Sequence, residues 1–151
     1  AFALRANDMV KKGILAGPIA FSRDNFDSGS VINPTMESEK MLDGSDLIAD
    51  WPYLNALLNT AGMADLVAIQ ANASMGEAVH TGVTMIADGS EEADLRLEAC
   101  MTTDSGIGVI RHAQAGYEMA RRVAEGKGPL TKESIKVPLW WSPKATFGPE
   151  E

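Results

Sequence analysis

Gly17–Ser30, GPIAFSRDNFDSGS, constrains this chain more than any other stretch. Its first half is apolar and free of charge. Its second half packs Arg23, Asp24, Asp27, Ser28 and Ser30 into eight residues. An apolar run opened by Gly-Pro and closed by polar turn residues reads as a short buried strand feeding a loop. In open α/β sheets, ligands sit beyond the carboxyl ends of the strands, and this loop is expected there.

The segments beyond that loop fix the fold class. Leu47, Ile48, Trp51, Leu54, Leu57, Leu58 and Ala61 fall at helical spacing, with Asp46, Asp50, Asn55 and Asn59 on other faces. Ser45 or Asp46 can cap this helix, Pro52 suits its first turn, and Gly62 ends it. Trp51 reads as a core residue. Earlier, Ala1–Lys12 reads as a helix stopped by Gly13. A first strand falls within Ile14–Phe21, and Ser22–Gly44 reads as an ordered binding loop. Asp65–Gln70 and Gly82–Ala87 read as strands flanking a small, polar Ala71–Thr81 segment. Ser90 can cap a helix through Met101, with Glu91 and Glu92 in its first turn. Thr102–Ile110 reads as a glycine-bearing loop, and His112–Glu125 as a further helix. Helices alternating with short apolar strands predict an α/β fold, a layered sheet with flanking helices. The tail Pro129–Glu151, with Pro138, Pro143 and Pro149, reads as an extended arm that packs Leu139, Trp140 and Trp141.

The 151 residues suit one domain with a real core. A formal net charge of −8 argues against nucleic acid or an anionic membrane as partner, since both call for clustered Lys and Arg. The pair Arg121-Arg122 lies between Glu118 and Glu125, as on a solvated helix face. The lone Cys100 excludes an internal disulfide and a cysteine-rich zinc site, and its apolar surroundings predict a buried thiol. No apolar stretch is long enough to span a bilayer, and no signal peptide is evident, so a reducing cytoplasmic setting is expected and the Asn72-Ala-Ser74 sequon reads as accidental. The chain opens without Met on a helix already in progress, which reads as residues missing upstream.

Short chemical motifs are missing. Gly106-Ile-Gly108 continues as Val-Ile-Arg, which breaks a dinucleotide fingerprint, and there is no phosphate-cradling loop, HExxH or CxxC. His80 and His112 are far apart, so no metal site is expected. Three polar foci remain. Arg23, Asp24, Asp27 and Ser28 join a cation to paired carboxylates, suited to holding a polar substrate, to acid/base work or to a structural salt-bridge network. Gln70–His80 follows a strand. In Ser105–His112, Gly106 and Gly108 let backbone approach a ligand closely. The three loops are expected to meet on one side of the sheet.

Longer strings carry a family resemblance. GPIAFSRDNFDSGSV, PTMESEKMLDGSDLIADWPYLNALLNTA, ADGSEEADLRLE and GVIRHAQAGYE, in that order over roughly residues 1–120, resemble the C-terminal part of urocanase. The resemblance implies that residues 1–128 belong to a urocanase-like substrate domain, with 129–151 as its C-terminal arm. A Rossmann-like NAD domain would lie upstream. It further implies a cytoplasmic homodimer that adds water to urocanate, an imidazole-acrylate, in histidine breakdown. Tightly held NAD⁺ serves as the electrophile. Under that reading Arg23, Asp24, Asp27 and Ser28 are candidate catalytic residues. Gly108 falls where the family has a glycine contacting NAD, with Gly106 beside it.

Two departures stand out. Bacterial members often carry a cysteine where this chain has Ser28, so covalent cysteine chemistry is excluded. The family's glycine-rich loop appears here as QANASMGEAVHTG, two residues shorter and with most glycines replaced. That points to a paralogue acting on a modified urocanate, such as a sulfur-bearing one. A non-catalytic binding or regulatory module that keeps the fold is the alternative.

Overall fold

A computed structural model describes residues 2–23, 31–32, 41–45, 48–71 and 79–127. The expected arm 129–151 and the site candidates Asp24, Asp27 and Ser28 lie outside the described residues. The elements run α1 (Phe2–Lys11), β1 (Ile19–Ser22), β2 (Val31–Ile32), α2 (Asp50–Ala61), β3 (Leu66–Ala71), β4 (Val79–Ala87), α3 (Glu91–Ala115) and α4 (Glu118–Ala124).

The sheet is antiparallel and built around β4. Thr84 pairs with Ser22 on one side and Leu66 on the other, so β1 and β3 occupy opposite edges. Further along, Val31 pairs with His80 and Ile32 with Val79, which puts β2 on the β1 side. Strand β4 starts earlier than expected and takes in His80 and Thr81. Because every pairing is antiparallel, the carboxyl-edge rule for parallel sheets does not locate a site here; the helix layer does.

That layer covers one face of β4. Thr81, Val83, Met85 and Ala87 alternate toward it and are buried, whereas Ile86 on the opposite face is exposed. Met85 and Ala87 join Ala3 of α1 with Leu97 and Cys100 of α3 in the core, with Leu4, Phe21 and Ala64 against it. Thr81 Oγ1 donates to the Pro52 carbonyl and ties α2 to the same face.

Local chemistry sets the helix ends. The Ser90 hydroxyl accepts from the Ala93 amide at 3.0 Å, and Glu91, Glu92 and Asp94 fill the electropositive first turn of α3. Gly89, at φ +89°, turns the chain into α3 with its amide 2.7 Å from Asn7 Oδ1. Asn7 Nδ2 then donates to the Ser90 carbonyl and to Asp94, so buried Asn7 locks α1 to the start of α3.

Two expectations about the helices are corrected. Thr102–Ile110 is not a loop: α3 runs unbroken from Glu91 to Ala115, and Gly106, Gly108 and His112 lie within it. Each interior glycine costs a helix about 1 kcal/mol relative to alanine, but buried Ile107, Arg111 and Ala113 hold this part of α3 to its neighbours. The break comes at Gly116, at φ +104°, and α4 begins two residues later. The second correction concerns α2, whose buried residues are Pro52, Asn55, Ala56 and Asn59. Leu57 is 68 % exposed. The helix turns its asparagines inward and much of its leucine stripe outward.

Candidate functional site in the groove along α3

The inward asparagines meet Arg23 and Asp104. Arg23 leaves β1 with its amide 3.2 Å from the Val83 carbonyl, which aims its side chain across the sheet end toward the helix layer. There Nε lies 2.6 Å from Asp104 Oδ2, and Nη2 donates to Asn55 Oδ1 at 3.1 Å. Asn55 and Asn59 both donate through Nδ2 to Asp104 Oδ1, each at 3.1 Å. Asn59 Nδ2 also lies 2.8 Å from Asn55 Oδ1 and 3.1 Å from the Asn55 carbonyl. Spacing of i, i+4 puts both amides on one face of α2.

Asn55 and Asn59 have no exposed surface, and Arg23 and Asp104 are largely buried. In such surroundings a carboxylate needs its donors and a guanidinium needs its acceptors, and each supplies the other. Asn59 Oδ1, however, is buried without a hydrogen-bond partner among the described residues. A group left in that state costs roughly 1–3 kcal/mol. Asn59 therefore serves orientation at some expense of stability.

Asp104 also sits between two cavities. One, of about 230 Å³, is bordered by Phe21, Arg23, Met85, Cys100, Asp104 and Ser105. The other, of about 540 Å³, lies between α3 and α4 and is bordered by Asp104, Ser105, Gly108, His112, Tyr117 and Val123. Asp104 and Ser105 line both, so the Arg23 cluster and Gly108 border neighbouring cavities that share a wall. His112 lies 2.8 Å through Nδ1 from the Gly108 carbonyl. A carbonyl only accepts, so Nδ1 carries a proton, and Nε2 is the ring nitrogen not used in this contact. The Tyr117 ring packs at 5.2 Å from the His112 ring.

Of the three expected foci, Arg23 and the Ser105–His112 stretch therefore meet at α3. In the third, Gln70 and His80 pair across β3 and β4; the residues between Ala71 and Val79 lie outside the described set. Because Gly106 and Gly108 are helical, their backbone amides belong to the helix ladder and are not free loop donors. What they leave is space: a Cβ at Gly106 would meet nothing within 4 Å. Gly106 opens onto a separate apolar groove of about 330 Å³ beside Trp51, Leu54, Leu58 and Ile110. Trp51, expected in the core, is only part-buried on that wall.

Sequence reasoning missed Asn55, Asn59 and Asp104. Two asparagines four apart are poor choices for a helix interior unless their amides are used. That was the available signal.

Cys100 is fully buried, as expected. Its thiol donates to the Gly62 carbonyl at 3.1 Å. Burial first, then the nearby Asp104 charge, pushes its pKa up, so the thiol is held in its unreactive form. No described helix is long and apolar enough to cross a membrane.

A small antiparallel sheet under one helix layer, with a polar groove along its longest helix, defines a compact α/β domain with a ligand-sized site. The family model for the urocanase C-terminal domain matches residues 1–126. The chain belongs to the urocanase family.

Proposed function

We propose that the intact protein containing this segment is a hydratase that adds water to urocanate or a ring-modified urocanate, with NAD⁺ held tightly as its cofactor. Family membership relates the chain to urocanate hydration. The Arg23–Asp104 ion pair is the observation that carries the site assignment, because it fixes Arg23 to α3 one turn before Gly108. It places the cavity beside Arg23 and the cavity beside Gly108 on either side of the shared wall of Asp104 and Ser105.

The residues present fit part of such a cofactor. The cavity at Gly108 has the volume for a heteroaromatic ring, no side chain projects from Gly108, and the His112 and Tyr117 rings offer flat apolar surface with a polar rim. When bound, NAD⁺ supplies an electron-poor ring that draws electron density from the substrate.

This chain's own residues have other tasks. Gly108, His112 and Tyr117 orient the rings within the cavity. The proton on His112 Nδ1 is committed to the helix carbonyl, so Nε2 is the atom left to hydrogen-bond a ligand or water. Arg23, compensated by Asp104, contributes fixed polarity in the neighbouring cavity. Asp24, Asp27 and Ser28 come directly after Arg23 in sequence and are the candidates for handling the added water. Serine at position 28 hydrogen-bonds and does not act as a thiolate. Histidine or related imidazole breakdown in the cytoplasm, by a homodimer, is the setting this reading implies.

The test is turnover by the intact protein on urocanate and on a sulfur-bearing urocanate, monitored as loss of the ultraviolet absorbance of the conjugated side chain. Hydration of either substrate supports the reading. Binding of both without turnover points instead to a module that kept the fold and lost the chemistry.

A further inference from the structure

We propose that Asn55, Asn59 and Asp104 are positioning residues for water addition: they hold the Arg23 guanidinium at the cavity wall. The inference rests on the hydratase reading for its chemistry, and on the cluster's geometry for everything else.

Four side chains from three elements close on one another. Asp104 of α3 takes Asn55 and Asn59 of α2 on Oδ1 and Arg23, at the end of β1, on Oδ2. Asn55 Oδ1 accepts from Arg23 and from Asn59, which fixes which way its amide faces. Asn59 touches neither cavity and acts only through its neighbours. Its Oδ1 goes unpartnered among the described residues in the process. An apolar side chain of similar volume at position 59 would bury no polar atom at all. A buried polar group can select one arrangement among several. Here the selected feature is the direction of Arg23, whose own backbone is pinned to β4 through Val83. Asp104 borders both cavities, so an error in that direction reaches the ligand site.

The experiment compares wild type with Asn59→Leu and Asn59→Asp in the intact protein. Asn59→Leu takes a donor from Asp104 Oδ1 and Asn55 Oδ1 and is expected to lower the melting temperature modestly while leaving the protein folded. Its kcat on urocanate should fall at least tenfold with KM within threefold, because binding surface is retained and alignment is lost. Hydrogen exchange at the Arg23 amide should quicken. Asn59→Asp places a second carboxylate beside Asp104. Its kcat should be low at neutral pH and climb toward wild type as the pH falls, because the protonated acid can again donate to Asp104. Asn59→Leu should show no such recovery. Wild-type kcat in Asn59→Leu, or a flat pH response in Asn59→Asp, overturns the proposal. If wild type hydrates no urocanate, the hydratase reading fails, and exchange at Arg23 decides the positioning claim alone. Faster exchange in Asn59→Leu upholds it, and unchanged exchange overturns it.

Discussion

Gly62 and Cys100 pack closely together in the core. A Cβ at position 62 would come within 2.9 Å of Cys100 Sγ, a distance real Cβ contacts do not reach. The φ of Gly62 is −76°, which alanine adopts freely, so the obstacle is the sulfur and not the backbone. Gly62→Ala is expected to destabilise by about 1–3 kcal/mol through overpacking. Combined with Cys100→Ala the loss should largely vanish, giving a coupling that a double-mutant cycle in denaturant reads directly. Additive losses would place the strain elsewhere. The same thiol carries a pH signature. Its pKa is raised in the folded state, so its contribution to stability is complete below its ordinary value of 9.0 and is lost as pH rises from there through the folded value. Wild type should thus lose stability relative to Cys100→Ala only in the alkaline range, measured by denaturation at neutral and alkaline pH. A parallel fall of both proteins would contradict this assignment.

At the scale of elements, α3 shows how far intrinsic preference yields to packing. Gly106 lies in a helix with open space where its Cβ would be. Gly106→Ala should therefore stabilise the protein by about 0.5–1 kcal/mol. Denaturation midpoints check it. A loop at this position would show no such gain. Some residues that set the ends of elements were legible in sequence, Ser90 as N-cap and Gly13 and Gly62 as stops. Each acts on its immediate neighbours, and local chemistry suffices to read it. The cap expected of Ser45 or Asp46 was not found, since α2 begins at Asp50 behind Ala49, which has no side-chain cap. The continuity of α3 was not legible, because what outweighs Gly106 and Gly108 is the burial of Ile107, Arg111 and Ala113 against distant segments. The orientation of α2 was hidden for a related reason. Periodicity separates a leucine face from an asparagine face, but only Arg23 and Asp104, from other elements, decide which face turns inward. Arg23 was legible as a site candidate from its place after a strand; its partners were not, since they lie 32 and more residues away in sequence.

At the scale of the whole molecule, one sheet face and three elements bring Arg23 and Gly108 to neighbouring cavities on α3, and urocanate hydration is the reaction proposed for them. Water addition to a conjugated imidazole side chain needs aligned rings and fixed charge in a site that admits water, and the cavities offer surfaces of those kinds. The altered QANASMGEAVHTG segment bears on which ring is accepted. Replacing it with the family's glycine-rich sequence should raise turnover on plain urocanate relative to a sulfur-bearing analogue. An unchanged ratio would remove the segment from specificity. The most direct measurement is incubation of urocanate with the intact protein in ¹⁸O-labelled water, then mass analysis of the product and of the cofactor released on denaturation. The account predicts a product carrying one added water with labelled oxygen, and NAD⁺ recovered unchanged in amounts matching the protein. Urocanate and its sulfur-bearing analogue both returned unlabelled and unhydrated, from protein shown to hold NAD⁺, would contradict it.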